Sequence, residues 1–244
     1  MRWPATGSAA RLLGAPVPAE TVEHVTVGHQ DERRRRVGVR CHVAALGRQD
    51  IEILSGVRIT APHRLFLDLA EGLSLVDLVV VGDWLVSKGH ATPTSLTAYC
   101  ARAATRGAAS ARRAAAYVRE RVESPMETRL RLLLVLAGVP EPEVNREVRD
   151  RDGFLLARLD LCWRGAKVAV EYDGRQHLTS AGQWERDVER RNDLTAAGWV
   201  LITVTAAGIY RDPEDTVRRV RQALASRGCR PARLDDRWRA HFGA

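Results

Sequence analysis

The chain has 244 residues, enough to bury one large core or two modest ones. Its hydrophobic and charged fractions, 45% and 28%, are ordinary for a globular protein. The longest apolar run, near residues 75–81, is broken by Asp77 and is far shorter than the roughly 20 residues that span a bilayer. No membrane association and no export are expected, which leaves the cytoplasm as the expected location.

The formal net charge is +8, and of 38 basic residues only Lys88 and Lys167 are lysines. Guanidinium groups bond phosphate oxygens in bidentate fashion and are weakly hydrated, which suits nucleic-acid backbones. A GC-rich genome also enriches arginine and alanine, so charge alone does not decide the matter. Cys41, Cys100, Cys162 and Cys229 are scattered, with no paired spacing and no histidine cluster. No zinc site is expected; free, mostly buried thiols in a reducing compartment are.

Residues 1–20 carry Pro and Gly with little periodicity and read as a loose lead-in. Strands are predicted at 21–27 and 37–43, joined by a polar segment containing the run Arg33–Arg36, which reads as a solvated loop or a DNA-contacting hairpin tip. A third short strand is predicted at 56–59. The pattern then becomes helical. Ala61-Pro62 opens a helix to about residue 71, Ser74 caps a second that Gly89 ends, and Pro93 begins a third. The alanine-rich stretch 108–121 continues the helices. From Ser124 the order becomes helix 125–137, strands 143–148, 155–163 and 167–172, helix 183–197, strand 199–205 and helix 213–225. Gly198 sits where a helix C-terminal glycine belongs. Interleaved helices and strands point to an α/β fold with a mixed sheet. The expected organisation is a smaller α+β domain over 1–120, an α/β domain over 121–226 and a loose basic tail over 227–244.

The strands at 155–163 and 167–172 flank Arg164-Gly165-Ala166-Lys167. A two-residue Gly-Ala loop of type II′ would set Arg164 opposite Lys167, Asp160 opposite Glu171 and Arg158 opposite Asp173. Opposed residues in an antiparallel pair have Cβ atoms about 4.5–5.5 Å apart on one face. Two facing carboxylates repel, and burial adds a desolvation cost that a cation or shared proton resolves. A hard cation such as Mg2+, which takes one or two carboxylates plus water and phosphate, fits Asp160 and Glu171. A register slipped by one would break the alternation Leu155, Ala157, Leu159, Leu161, Trp163.

The remaining candidates have competing readings. Asp173 is a metal ligand or a salt-bridge partner of Arg158. His177, a turn beyond the carboxylate strand, is placed for proton transfer. Glu127 in Ser124-Pro125-Met126-Glu127 matches a capping box, and on local grounds reads as structural. The helix at 183–197 carries Trp184, Val188 and Leu194 for the core. Asp187 can pair with Arg190 or Arg191, while Arg186, Arg190 and Arg191 are candidates to reach phosphate.

Glu127, Asp160, Glu171-Tyr172-Asp173-Gly174, His177, Asp187, Arg190, Leu194 and Gly198-Trp199-Val200 together resemble the very-short-patch-repair-like branch of the PD-(D/E)xK nuclease superfamily, over roughly residues 124–224. Gly56-Val57-Arg58-Ile59-Thr60 and Phe66-Leu67-Asp68-Leu69-Ala70 resemble the C-terminal region of abortive-infection antitoxin-like proteins. The first resemblance implies a three-layer restriction-endonuclease-like fold and metal-dependent phosphodiester cleavage. It implies Asp160 and Glu171 as Mg2+ ligands (with Mn2+ able to substitute), Glu127 orienting a metal-bound water and His177 in proton transfer; Asp173 stands with them as a further catalytic candidate. Arg175, Arg186, Arg190 and Arg191 would contact DNA. A cage of all three carboxylates, Glu127, Asp160 and Glu171, is the strongest form of this expectation.

The chain departs from the superfamily at the lysine position, which is Asp173. Lys167 lies four residues before Glu171, about 13 Å along a strand, too far to replace it. The zinc ligands of the mismatch-repair enzymes are absent, so mismatch specificity is not implied. The expected function is a Mg2+-dependent DNA endonuclease or nickase; the alternative is a DNA-binding or antitoxin-like regulator that keeps the fold without cutting. Oligomeric state is left open.

Overall fold

A computed structural model describes residues 2–4, 6–19, 21–149, 153–174, 181–229 and 233–243. The chain divides into two compact units, Met1–Glu120 and Arg121–Ala244.

The first unit runs β1 (Arg2–Pro4), α1 (Thr6–Leu13), β2 (Glu23–Val27), β3 (Val39–Val43), β4 (Ile51–Leu54), β5 (Val57–Thr60), then helices α2 (Pro62–Leu69), α3 (Leu75–Ser87), α4 (Pro93–Arg102) and α5 (Ala108–Ala115). Residues 1–20 are not a loose lead-in. β1 pairs antiparallel with β2, and α1 buries Ala9 and Ala10 completely. β2 and β3 run parallel, from Glu23↔Val39 to Val27↔Val43. The Arg33–Arg36 run therefore lies in a connection between parallel strands rather than at the tip of a β2–β3 hairpin, and its last member closes a local antiparallel bridge with Val39. A strand unforeseen in the sequence, β4, pairs with β5 across Ser55-Gly56, whose φ values of 49° and 81° make the tight turn that matches strand twist. Ser74 caps α3 by accepting the Asp77 amide at 3.1 Å, and Thr92 and Ser95 form a capping box on α4. Asp50 is buried and accepts the Gly47 amide at 2.9 Å and the Tyr99 hydroxyl at 2.5 Å, tying the β4 entry to α4. α5 stops at Ala115, short of the expected residue 121.

The second unit runs α6 (Pro125–Leu136), β6 (Glu143–Arg149), β7 (Leu155–Trp163), β8 (Val168–Tyr172), α7 (Ala181–Ala196), β9 (Val200–Val204), α8 (Ala206–Tyr210), α9 (Pro213–Ser226) and α10 (Arg239–Phe242). The four strands form a mixed sheet of order β6-β7-β8-β9, with the first two pairings antiparallel and β8–β9 parallel. Parallel neighbours need a crossover, and α7 supplies it. Its Leu194 and the following Trp199 pack with Ala157, Leu159, Cys162 and Ala169 of the sheet. Val188, expected in this core, is 38% exposed. Gly198 ends α7 at φ +84°, with the Trp199 amide returning to the Leu194 carbonyl at 2.9 Å.

The segment after α9 is not a loose tail. Trp238 and Phe242 are buried, and the Asp235 amide bonds the Ala137 carbonyl at the end of α6 at 3.3 Å. Gly138 allows this approach: at φ +79°, a Cβ there would meet the Arg233 carbonyl oxygen at 2.8 Å. Trp238→Ala should therefore lower the stability of the second unit by about 3–5 kcal/mol in urea unfolding, whereas a loose tail would leave the midpoint unchanged.

Candidate active site

Asp160 lies in the middle of β7, where the sheet opens on both sides of it. The β6–β7 register passes from Val144↔Leu161 to Arg146↔Leu159, omitting Asn145 and Asp160. Asn145 is the cause, because its φ of 46° turns the backbone out of extended geometry. On the other side the β7–β8 ladder ends at Leu161↔Val170, one step before Asp160 and Glu171. The expected register is thus the observed one, although the loop is of another kind. Trp163↔Val168 closes four residues, with the Ala166 amide on the Trp163 carbonyl at 3.0 Å and Lys167 at φ +50°. Lys167 reaches the Ala197 carbonyl at 2.8 Å, so its charge serves the C-terminal end of α7.

The three acids are each held differently. In place of a ladder bond, Asp160 Oδ2 accepts the Tyr172 amide at 2.9 Å. Glu171 is gripped at both oxygens by Arg190 from α7: Nη1 approaches Oε2 at 3.2 Å and Nη2 bonds Oε1. Arg190 Nη2 also points to the Arg158 carbonyl at 3.4 Å. Glu127 is buried at the third position of α6, where Ser124 Oγ accepts its amide at 3.2 Å. Its Oε2 accepts the Glu123 amide at 3.1 Å and Asn145 Nδ2 at 2.7 Å. Asn145 is buried as well and also donates to the Arg121 carbonyl at 2.7 Å. The expected capping box is not formed: Ser124 caps α6, but the Glu127 carboxylate takes the Glu123 amide, one residue before the N-cap, and bonds across to Asn145 of the sheet.

Sequence reasoning missed Asn145. Its signal was a short polar side chain in the strand Glu143-Val144-Asn145-Arg146, at a position opposite Asp160 in the register. Asp173 continues β8 by donating its amide to the Val204 carbonyl at 2.8 Å, while Arg158 pairs with Glu123 at 2.5 Å. Arg186 is exposed and Arg191 bonds Thr203 Oγ1 at 3.3 Å. Arg175 and His177 lie outside the described residues, as does the side chain of Trp184.

The three-carboxylate cage is not formed: among the described residues no group of three or more His, Cys, Asp and Glu side chains could hold a metal ion. Glu127 directs an oxygen to amides and Glu171 directs both to Arg190. What the site does offer is a pair of hard oxygen donors. Asp160 keeps one oxygen beyond the Tyr172 bond, and Glu171 becomes available if the guanidinium moves. Two carboxylates completed by water and phosphate is a donor set that Mg2+ or Mn2+ accepts.

The Asp160 carboxyl is pushed up to about 6, first by burial and then by the negative charges of Glu127 and Glu171; the Tyr172 amide and Arg190 oppose the rise. The folded state therefore holds a proton on Asp160 that the unfolded chain releases near pH 4. Stability falls as pH rises from about 4 to about 6 and stays reduced above that window. Asp160→Asn keeps an acceptor for the Tyr172 amide and removes the charge. It should be more stable than the parent by roughly 1–3 kcal/mol at pH 8, with the gap closing near pH 4, as measured by thermal unfolding across pH.

A restriction-endonuclease-like family model, REase_MTES_1575, matches residues 143–224, a stretch that holds Asn145, Asp160, Glu171 and Arg190 but not Glu127. Two uncharacterised proteins of Mycobacterium tuberculosis, MT2308 of strain CDC 1551 / Oshkosh and Rv2248 of strain H37Rv, are each 24% identical over 219 residues. Those alignments cover 89% of this chain and 79% of each relative. No solved structure matches the chain. Among the described residues no helix is long and apolar enough to cross a membrane. The second unit thus contains a mixed α/β region similar to restriction-endonuclease-like proteins, with the half-buried Asp160 and Glu171 inside it and the buried Glu127 beside it.

Proposed function

We propose that the chain is a Mg2+-dependent endonuclease or nickase that hydrolyses phosphodiester bonds in DNA, with Mn2+ as a substitute metal. One observation carries the reading. Within the nuclease-like stretch, both sheet ladders open at a half-buried aspartate whose charge is disfavoured first by desolvation and then by two neighbouring glutamates. A sheet gains nothing from such an arrangement unless a cation or a transferred proton uses it. In this reading the mixed sheet is the central layer of a three-layer fold of the very-short-patch-repair-like branch. The first unit is an antitoxin-like region, and the protein works in the cytoplasm.

Asp160 and Glu171 are the residues that would hold the metal. When bound, it supplies polarisation of a phosphoryl oxygen and a more acidic water. Arg190 has two alternative anionic partners, Glu171 and the DNA phosphate, and transferring it to the phosphate frees the Glu171 oxygens. Glu127, anchored by Asn145, orients the attacking water, with Asp173 beside it. His177 handles proton transfer, while Arg175, Arg186 and Arg191 hold the backbone on either side.

A second reading has two observations in its favour: Asp173 occupies the superfamily's lysine position, and Arg190 already neutralises Glu171 as a cation would. It makes the chain a DNA-binding or antitoxin-like regulator that does not cut. Nicking of supercoiled plasmid in Mg2+ or Mn2+ decides between them. The endonuclease reading expects nicking that Asp160→Ala reduces at least about a hundredfold, roughly 3 kcal/mol of barrier. Salt-sensitive binding with no nicking in either metal establishes the regulator, and undiminished nicking by Asp160→Ala removes the site assignment.

A further inference from the structure

The first unit contains a cavity of about 600 Å³ that shares no residue with the candidate active site. Its polar surface includes His24 and Thr26 of β2 and His42 of β3, three side chains brought to one side by the parallel register Thr26↔His42. His24 is 5% exposed, and its Nδ1 lies 3.3 Å from Nε2 of His42. Arg33, Arg40 and Arg106 also line the cavity. A fourth arginine, Arg64, is bound to Asp68 at 2.7 Å, so these two lining charges compensate each other. That leaves three guanidinium groups against Glu71. Val17 and Leu73 add apolar wall.

Three features of this arrangement select a ligand class. Uncompensated arginines beside a histidine pair, one buried and one half-buried, form a donor-rich, electropositive surface, which calls for an anion with several acceptor oxygens. The local field has that sign at His42. Its pKa is lowered first by burial and then by the positive charges of His24, Arg40 and Arg33, while only Glu71 opposes the shift. The volume is in the range of small-molecule pockets, about 300–1,000 Å³, and exceeds what a bare phosphate fills. Apolar wall beside a cationic rim suits an organic body attached to the anion.

We infer that this cavity binds a phosphate monoester of nucleotide size, with Arg33, Arg40 and Arg106 on the phosphate and His24 and His42 as a hydrogen-bonding floor. Two sources share this chemistry: a free mononucleotide and the 5′-phosphorylated end of a DNA strand. The inference is independent of the endonuclease reading, since it concerns other residues and a binding event that needs no metal.

Calorimetric titration of the full chain in EDTA tests it, with inorganic phosphate, dAMP, a 5′-phosphorylated hexanucleotide and its 5′-hydroxyl counterpart as probes. The expected result is saturable 1:1 binding of dAMP that is tighter than that of phosphate. Arg40→Gln, at an exposed position, and His42→Gln, at a half-buried one, should each weaken it about tenfold or more while retaining the parent's thermal transition. The phosphorylated hexanucleotide binding at least about tenfold tighter than the hydroxyl form, and as sensitive to both variants, assigns the DNA end; variant-sensitive binding of dAMP alone assigns the free nucleotide. No saturable binding of dAMP or of the phosphorylated hexanucleotide up to about 5 mM, or binding that both variants leave unchanged, overturns the inference.

Discussion

The second unit is organised around a carboxylate in the wrong place for a sheet. A residue in the middle of a central strand ordinarily has its backbone paired on both sides and its side chain in apolar packing. Asp160 has neither, because the β6 ladder steps over it and the β8 ladder stops before it. The step-over is enforced by Asn145, which adopts the left-handed conformation that asparagine tolerates better than most residues. That conformation costs free energy locally, and the buried contacts of the Asn145 amide with Arg121 and Glu127 hold it in place. The opening in the sheet is therefore a maintained feature, stabilised from α6.

The three acids show three ways of managing negative charge under partial burial. Glu127 takes neutral amide donors, Glu171 takes a guanidinium, and Asp160 takes one backbone amide and shifts toward its protonated form. Of the three, Asp160 is the least compensated. In the proposed function a metal would compete with a proton for Asp160 and with Arg190 for Glu171. The bidentate contact on Glu171 is of the fork-to-fork kind that arginine makes equally well with phosphate. In the proposed function this one side chain would serve both the state without substrate and the state with it. Lys167, by contrast, is committed to the end of α7 and plays no part at this site.

The first unit has its own buried polar assemblies. Asp50 gathers a backbone amide and a tyrosine hydroxyl under the helices, with the Arg64 guanidinium 3.8 Å away. His24 and His42 face a cavity whose lining carries more positive than negative charge. The arginine run at 33–36 is exposed throughout, as a solvated loop would be, and one of its members, Arg33, also lines that cavity.

Much of this was legible in the sequence. Period-two alternation gave β7 its bounds and its register, because a slip by one would have exposed an entire apolar face. Ser124, Ser74 and Gly198 marked helix ends through capping chemistry that is local to a few residues. The tertiary structure decided what depends on residues far apart in the chain. The parallel pairing of β2 with β3, the burial of Trp238 and the docking of the final segment on α6 all involve contacts between distant residues, on which local periodicity carries no information. The same holds at the site. The sequence by itself determined that Asp160 and Glu171 come to adjacent strands. Only the fold decided that Asn145 opens the sheet beside Asp160 and that Arg190, nineteen residues on, closes over Glu171.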